Sequence, residues 1–205
     1  MPRAALVALF AAAALSACAP VPPQPVAQAW LFEKGQYQAV YAPDGRMLRL
    51  LYDSDGDRVA EVVTVYGPGA RLLRAEIDAD NDGAVERWEV FGDGGRLAQV
   101  GSARQVGGRP DLWETLDARG RVVSRALDDD GDGRSEREEF FDAGGLSRVT
   151  FDTDGDGRPD RWQTWRARHV AHEDLDTDGD GEPDRRLRFG ARGEILGVTR
   201  LSARR

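Results

Sequence analysis

The feature that most constrains this chain is an internal repeat. If each unit is started at its first acidic position, the starts fall at Asp53, Asp78, Ala103, Asp128, Asp152 and Asp176. The segments there read DSDGDRVAEVV, DADNDGAVERW, ARQVGGRPDLW, DDDGDGRSERE, DTDGDGRPDRW and DTDGDGEPDRR. The period is 24–25 residues, and a partial unit precedes them from near residue 28, with Tyr41 and APDG in phase. A repeat this short is a supersecondary unit that cannot bury its apolar side alone, so neighbouring units must stack.

Within each unit an acidic loop is followed by a short apolar run, a turn, and a second apolar run. Position 14 is Tyr66, Phe91, Leu116, Phe141, Trp165 or Phe189, and position 18 is Gly95, Gly120, Gly145 or Gly193. The runs are too short for helices and are bounded by Gly, Pro and Asp, which reads as strand–turn–strand. The expected fold is all-β: an elongated antiparallel meander of tandem β-hairpins over residues 29–205, with acidic loops between hairpins. Gly at position 18 suits a three-residue loop closed by a left-handed residue and a bulge. Paired positions then sum to 34. That register sets Phe91 opposite Leu97, Val90 opposite Ala98 and Trp88 opposite Val100. In the preceding hairpin it sets Tyr66 opposite Leu72, Val65 opposite Leu73 and Val63 opposite Ala75. The hairpin part resembles the MORN-type repeats, which have an aromatic–turn–Gly pattern of similar period.

The acidic loops carry the chemistry. In the fifth unit, loop positions 1, 3, 5 and 9 are Asp152, Asp154, Asp156 and Asp160, with Gly157 at 6 and Arg158 at 7. The pattern resembles the calcium loops of EF-hands and of thrombospondin type 3 repeats. In those families carboxylates at 1, 3 and 5 bind the ion, Gly at 6 permits the turn, the carbonyl at 7 is a ligand, and 9 acts directly or through water. The resemblance implies further sites at Asp78, Asp80, Asp82, Ala84 and Glu86; at Asp128, Asp130, Asp132, Arg134 and Glu136; and at Asp176, Asp178, Asp180, Glu182 and Asp184. EF-hands add a bidentate Glu at position 12, which here is met by Glu89 and Glu139 but replaced by Gln163 and Leu187 in the other two. The flanks read as strands, so EF-hand helix pairs are not expected. The first loop has Asp53, Asp55, Asp57 and Glu61 but Arg58 where Gly is expected, which makes it a weaker site. The third has lost the acids at 1, 3 and 5 and reads as a metal-free spacer.

Electrostatics favours a bound cation over solvated turns. Two carboxylates about 4 Å apart repel by roughly 1 kcal/mol in water and about 4 kcal/mol at an effective dielectric of 20. Oxygen-only ligands on flexible loops select Ca²⁺ over Mg²⁺ or Zn²⁺. About four sites are expected, five with the first loop, with dissociation constants of about 10⁻⁴–10⁻³ M as in extracellular modules. Four divalent cations would also bring a chain of net charge −8 close to neutrality.

The N-terminal segment MPRAALVALFAAAALSAC is basic, then apolar, then small. It is too short for a permanent membrane helix and reads as a secretion signal over residues 1–17. Leu15-Ser16-Ala17-Cys18 resembles the lipobox of bacterial lipoproteins, which implies cleavage before Cys18 and lipidation of it. Cys18 is the sole cysteine, so an intrachain disulfide is excluded. Residues 18–28 then form a lipidated, Pro-rich tether. Ala19 after the Cys implies, by the same resemblance, the outer membrane of a Gram-negative bacterium.

The acidic balance argues against nucleic acid as a partner. No G-x-S-x-G is present, and no catalytic constellation stands apart from the repeat. His169 and His172, the only histidines, are placed in the unusual turn of the fifth unit as surface residues. Trp88, Trp113 and Trp162 recur at position 11 and read as packing residues, with an exposed sugar-binding row as the alternative. Arg87, Arg137, Arg161 and Arg185 recur at position 10, either neutralising a loop or solvated on a strand. The sequence therefore points to a non-enzymatic, calcium-stabilised envelope lipoprotein with a structural or adhesive role. The alternative is a module that binds a polysaccharide or envelope protein, with calcium incidental.

Overall fold

The computed structural model describes residues 29–104 and 108–202. Cys18, the signal segment and the tether lie outside the described residues. Fifteen strands form one sheet whose spatial order is the order along the chain, each antiparallel to its neighbours. They are β1 (Trp30–Lys34), β2 (Tyr37–Tyr41), β3 (Met47–Tyr52), β4 (Val62–Tyr66), β5 (Leu72–Ile77), β6 (Arg87–Phe91), β7 (Leu97–Ser102), β8 (Leu112–Leu116), β9 (Val122–Leu127), β10 (Arg137–Asp142), β11 (Gly145–Phe151), β12 (Arg161–Arg166), β13 (His169–Leu175), β14 (Arg185–Phe189) and β15 (Ile195–Arg200). The sheet is not closed, and β1 and β15 are its edges. The all-β meander expected from the repeat is therefore the fold. β1 is an added strand, joined to β2 by a tight turn at Gly35–Gln36 where later units have an acidic loop.

The register is as expected at the turn and slips by one beyond it. Phe91 is opposite Leu97 and Tyr66 opposite Leu72. Trp88 is opposite Gly101, not Val100, and Val90 is opposite Gln99, not Ala98. Likewise Val63 faces Glu76 and Val65 faces Arg74, not Ala75 and Leu73. The cause is a bulge in the second strand, which leaves Ala98 and Leu73 without a partner. Position 15 explains why a bulge fits in these two hairpins. A Cβ on Gly92 would lie 3.4 Å from the Ala98 side chain, and one on Gly67 would lie 3.1 Å from that of Leu73. The bulged side chain thus lies against a glycine. A register shift at the same place recurs in every position-14 hairpin from β2–β3 to β14–β15.

Alternation gives the sheet two faces. One, face A, carries positions 10, 12 and 14 of each unit. Its middle row contains Ala39, Leu50, Thr64, Ala75, Glu89, Val100, Glu114, Arg125, Glu139, Val149 and Gln163, one residue per strand. Among the described residues, four of the five buried hydrophobic ones, Ala39, Ala75, Val100 and Val149, lie in this row. Of the described residues, only Val149 has a side chain less than 2% exposed. A single-layer sheet has little interior, so same-face side-chain pairs and loop hydrogen bonds carry much of its order.

Candidate metal centres

The hairpin turns lie along one edge of the strand ends and the acidic loops along the other, because loops always join a second strand to the next first strand. The loops are tied into a row by the backbone. Asp78 N–H donates to the Glu61 carbonyl at 2.8 Å, and Asp152 N–H to that of Glu136 and Asp176 N–H to that of Asp160 at 2.9 Å each. Asp160 N–H returns to Phe151 O at 2.9 Å and Asp184 N–H to Leu175 O at 2.8 Å, closing each loop at its neck.

Five loops share one hydrogen-bond scheme. The carboxylate at position 1 accepts from the N–H groups at positions 4 and 6. In the second loop these bonds are Asn81 N–H to Asp78 Oδ1 at 2.7 Å and Gly83 N–H to Asp78 Oδ2 at 2.9 Å. Asp53, Asp128, Asp152 and Asp176 do the same. The carboxylate at 9 caps the N–H at 2: Glu61 takes Ser54, Glu86 takes Ala79, Glu136 takes Asp129, Asp160 takes Thr153 and Asp184 takes Thr177. The carboxylate at 5 accepts from the N–H at 7, as Asp82 from Ala84, Asp132 from Arg134, Asp156 from Arg158 and Asp180 from Glu182. Position 6 is left-handed in all five loops, which suits Gly83, Gly133, Gly157 and Gly181. Arg58 adopts the same conformation with φ 76°, so the first loop closes in spite of its side chain.

The result is five groups of carboxylates whose oxygens lie within 4.8 Å of one another: Asp53, Asp55, Asp57 and Glu61; Asp78, Asp80, Asp82 and Glu86; Asp128, Asp130, Asp132 and Glu136; Asp152, Asp154 and Asp160; and Asp176, Asp178 and Asp180. Asp156 and Asp184 stand outside the last two groups. Repulsion is visible in the sixth unit, where Asp180 raises the pKa of Asp178 above the ordinary carboxylate value. In the first loop the clustering has a further consequence. Glu61 is 7% exposed, and its Oε1 has no hydrogen-bond partner, while its Oε2 caps Ser54. A buried carboxylate oxygen without a donor is costly unless a cation meets it. Oxygen-only donors in groups of three or four fit a hard divalent cation.

Other candidate residues lie elsewhere. Glu89 and Glu139, at position 12, are on face A in β6 and β10. Glu89 pairs with Arg87 at 2.9 Å, and Glu139 pairs with Arg137. An extended strand carries position 12 along the sheet at about 3.3 Å per residue, whereas a helix would curl it back to the loop. Of the position-10 arginines, Arg161 likewise serves the sheet, pairing with Glu173 at 2.6 Å with its guanidinium 4.7 Å from the Phe151 ring centre. Trp88, Trp113 and Trp162 share the opposite face, face B, each half-buried. His169 and His172 are both in β13, not in a turn, because the fifth turn is only Ala167–Arg168, both left-handed. Burial, with help from Arg186, lowers the pKa of His172.

The third loop contains a substitute that sequence reading missed. Asp111 retains the position-9 carboxylate and accepts from Arg104 N–H at 3.0 Å and from its Nε at 2.8 Å. The Arg104 Nη2 reaches Asp129 of the fourth loop at 2.9 Å. A guanidinium thus sits against the carboxylate left in this loop and ties it to the next. Position 2 belongs to no metal-loop pattern, so only the retained Asp111 in an otherwise de-acidified loop could have signalled it.

No family model matches the chain, and no curated protein does. Solved structures with some likeness include TarM (TM-score 0.41, 12% identity, 50% of this chain and 20% of that one). Another is the complex of accessory secretory proteins 1, 2 and 3 of Streptococcus pneumoniae (0.35, 13%, 59% and 20%). A third is a Glycosylation Associate Protein complex of Streptococcus agalactiae (0.27, 16%, 58% and 19%). This chain spans about a fifth of each, and likenesses of this size carry no argument about function.

Proposed function

We propose that this chain is a non-enzymatic, calcium-binding β-hairpin array of the bacterial envelope, anchored by lipid on Cys18, in which each cation clips the end of one hairpin to the start of the next. The observation that carries this reading is the set of five loops that gather three or four carboxylate oxygens within 4.8 Å on one backbone scheme. The unpartnered buried oxygen of Glu61 supports it. The position-1 carboxylates are already satisfied by two N–H groups each, so they are oriented before any ion arrives. The loops, together with strands and backbone links, form one continuous row, and filling them would stiffen the array along its length. Oxygen-only groups argue against zinc, and three or four carboxylates gathered on one loop favour calcium over magnesium, which keeps several of its own waters. The array would then hold an adhesive or structural surface away from the membrane.

Calorimetric titration with CaCl₂ counts the sites directly. The expected stoichiometry is four to five, with a higher melting temperature in calcium than in EDTA. A melting curve that EDTA leaves unchanged, together with no heat of binding, would remove this reading.

A further inference from the structure

The first end of the sheet differs chemically from the rest. All four tyrosines of the chain, Tyr37, Tyr41, Tyr52 and Tyr66, lie on face A of β2–β4. Trp30 and Phe32 of β1 join them, and so does Lys34, the only lysine. The Trp30 and Tyr41 rings stack at 4.3 Å between centres, and those of Tyr37 and Tyr52 lie 5.0 Å apart. Trp30, Phe32 and Tyr37 remain about half exposed, at 48%, 51% and 50%. From β1 to β5 this face carries no carboxylate and no amide; the first is Glu89 on β6. Glu33, Gln38 and Glu76 point to face B.

We propose that this aromatic face is a lipid-contact surface that beds the first hairpin in the headgroup layer of a bilayer. Tryptophan, tyrosine and lysine combine apolar bodies with polar tips, which is the composition favoured where hydrocarbon meets water. An exposed apolar patch with one cation and no anion suits lipid phosphates and carbonyls. A saccharide platform would pair its rings with amides or carboxylates that fix hydroxyls, and this face has neither. Its one side-chain hydroxyl outside the tyrosines, Thr64, is bonded to Leu50 O at 3.2 Å. Position along the chain agrees. Trp30 follows Cys18 by 12 residues, a reach of at most about 40 Å when extended, so an anchor there confines this end of the array, and no other, to the membrane. In that respect the inference rests on the lipid anchor proposed above.

The test uses the full chain as processed in cells, whose mass shows separately whether Cys18 carries lipid. In calcium buffer the protein is mixed with vesicles of phosphatidylethanolamine and phosphatidylglycerol, with and without brominated acyl chains. Bromine is expected to quench tryptophan emission, and Trp30→Phe is expected to remove at least half of that quenching. Phe32→Asp, at a half-exposed edge position, is expected to lower that quenching in lipidated protein, whose acyl chains alone secure co-sedimentation, and to weaken co-sedimentation several-fold in protein without lipid, in both cases without changing the melting temperature. If the mass shows no lipid, the anchor reading fails, while co-sedimentation still decides this face. Quenching and co-sedimentation indifferent to both substitutions would overturn the proposal. So would an effect of them on self-association in place of vesicle binding, which would assign the surface to a second copy of the chain.

Discussion

Asp78 holds the N–H of Asn81 on one carboxylate oxygen and the N–H of Gly83 on the other, so a single buried side chain fixes the curvature of a nine-residue loop. Hydrogen bonds to charged acceptors contribute about 1.5–3 kcal/mol each. Asp78→Ala is therefore expected to destabilise the chain by about 2–4 kcal/mol in calcium, read from denaturant midpoints. Part of the loss persists in EDTA, because the carboxylate shapes the loop as well as facing the ion.

Glu61 offers a sharper comparison. Its Oε2 caps Ser54 while Oε1 is buried without a donor. Glu61→Gln keeps the size and one acceptor but removes the charge. It is expected to lower the calcium stoichiometry by one in calorimetry. An unchanged stoichiometry would mean that the first loop holds no ion.

Arg104 is expected to behave in the opposite way to the metal loops. Arg104→Met takes the Arg104 guanidinium away from the buried carboxylate of Asp111 and removes its contact with Asp129. A loss of about 1–3 kcal/mol is expected, equal in calcium and in EDTA. A loss that appears only in calcium would contradict the role assigned to this arginine.

Arg58 stands in a left-handed conformation that the equivalent glycines adopt freely. Arg58→Gly is expected to stabilise the protein by up to about 1 kcal/mol, since left-handed backbone costs a side chain about 1–2 kcal/mol and Gly gives part of that back in unfolded-state entropy. Gly101→Ala should do the reverse, since its Cβ would lie 3.0 Å from the Trp113 ring. Urea denaturation of the two variants checks both signs.

The Asp117–Arg121 turn supplies a pH dependence away from the acidic loops. Backbone and side-chain hydrogen bonds from Arg121 hold the Asp117 pKa at about 2. A carboxylate depressed in the folded state stabilises it above the unfolded value near 3.9, and that stabilisation is lost as pH falls through about 2. Asp117→Asn is expected to be less stable than the parent at neutral pH, with the difference closing toward pH 2. A difference independent of pH would assign the effect to geometry and not to charge.

Much of the site was legible because it is local. The Asp-x-Asp-x-Asp spacing, the left-handed position 6 and the capping carboxylate at 9 all act within nine residues, so Asp128 to Glu136 could be read as a loop without any partner. The hairpin turns were legible for the same reason, as the pairing of Phe91 with Leu97 shows. Legibility ended one residue later, at Ala98, because a bulge is decided by what its side chain lies against across the strand. In the first loop Arg58 stands where a glycine is expected, yet the loop closes and Asp53, Asp55, Asp57 and Glu61 still gather. Arg104 was overlooked because its role depends on Asp111, seven residues on, and on Asp129 in the next unit.

The sequence by itself determined the repeat, the all-β meander and the acidic loops, since turn chemistry and alternation are properties of adjacent residues. Only the tertiary structure decided which side chains share a face. It put Glu89 and Glu139 on the sheet with arginines, gathered four tyrosines at one end, and set a guanidinium against Asp111. The tyrosine face depends on cross-strand register, which a single bulged residue per hairpin shifts for every residue beyond it; the arginine pairs depend on where strand and loop carry a side chain in space.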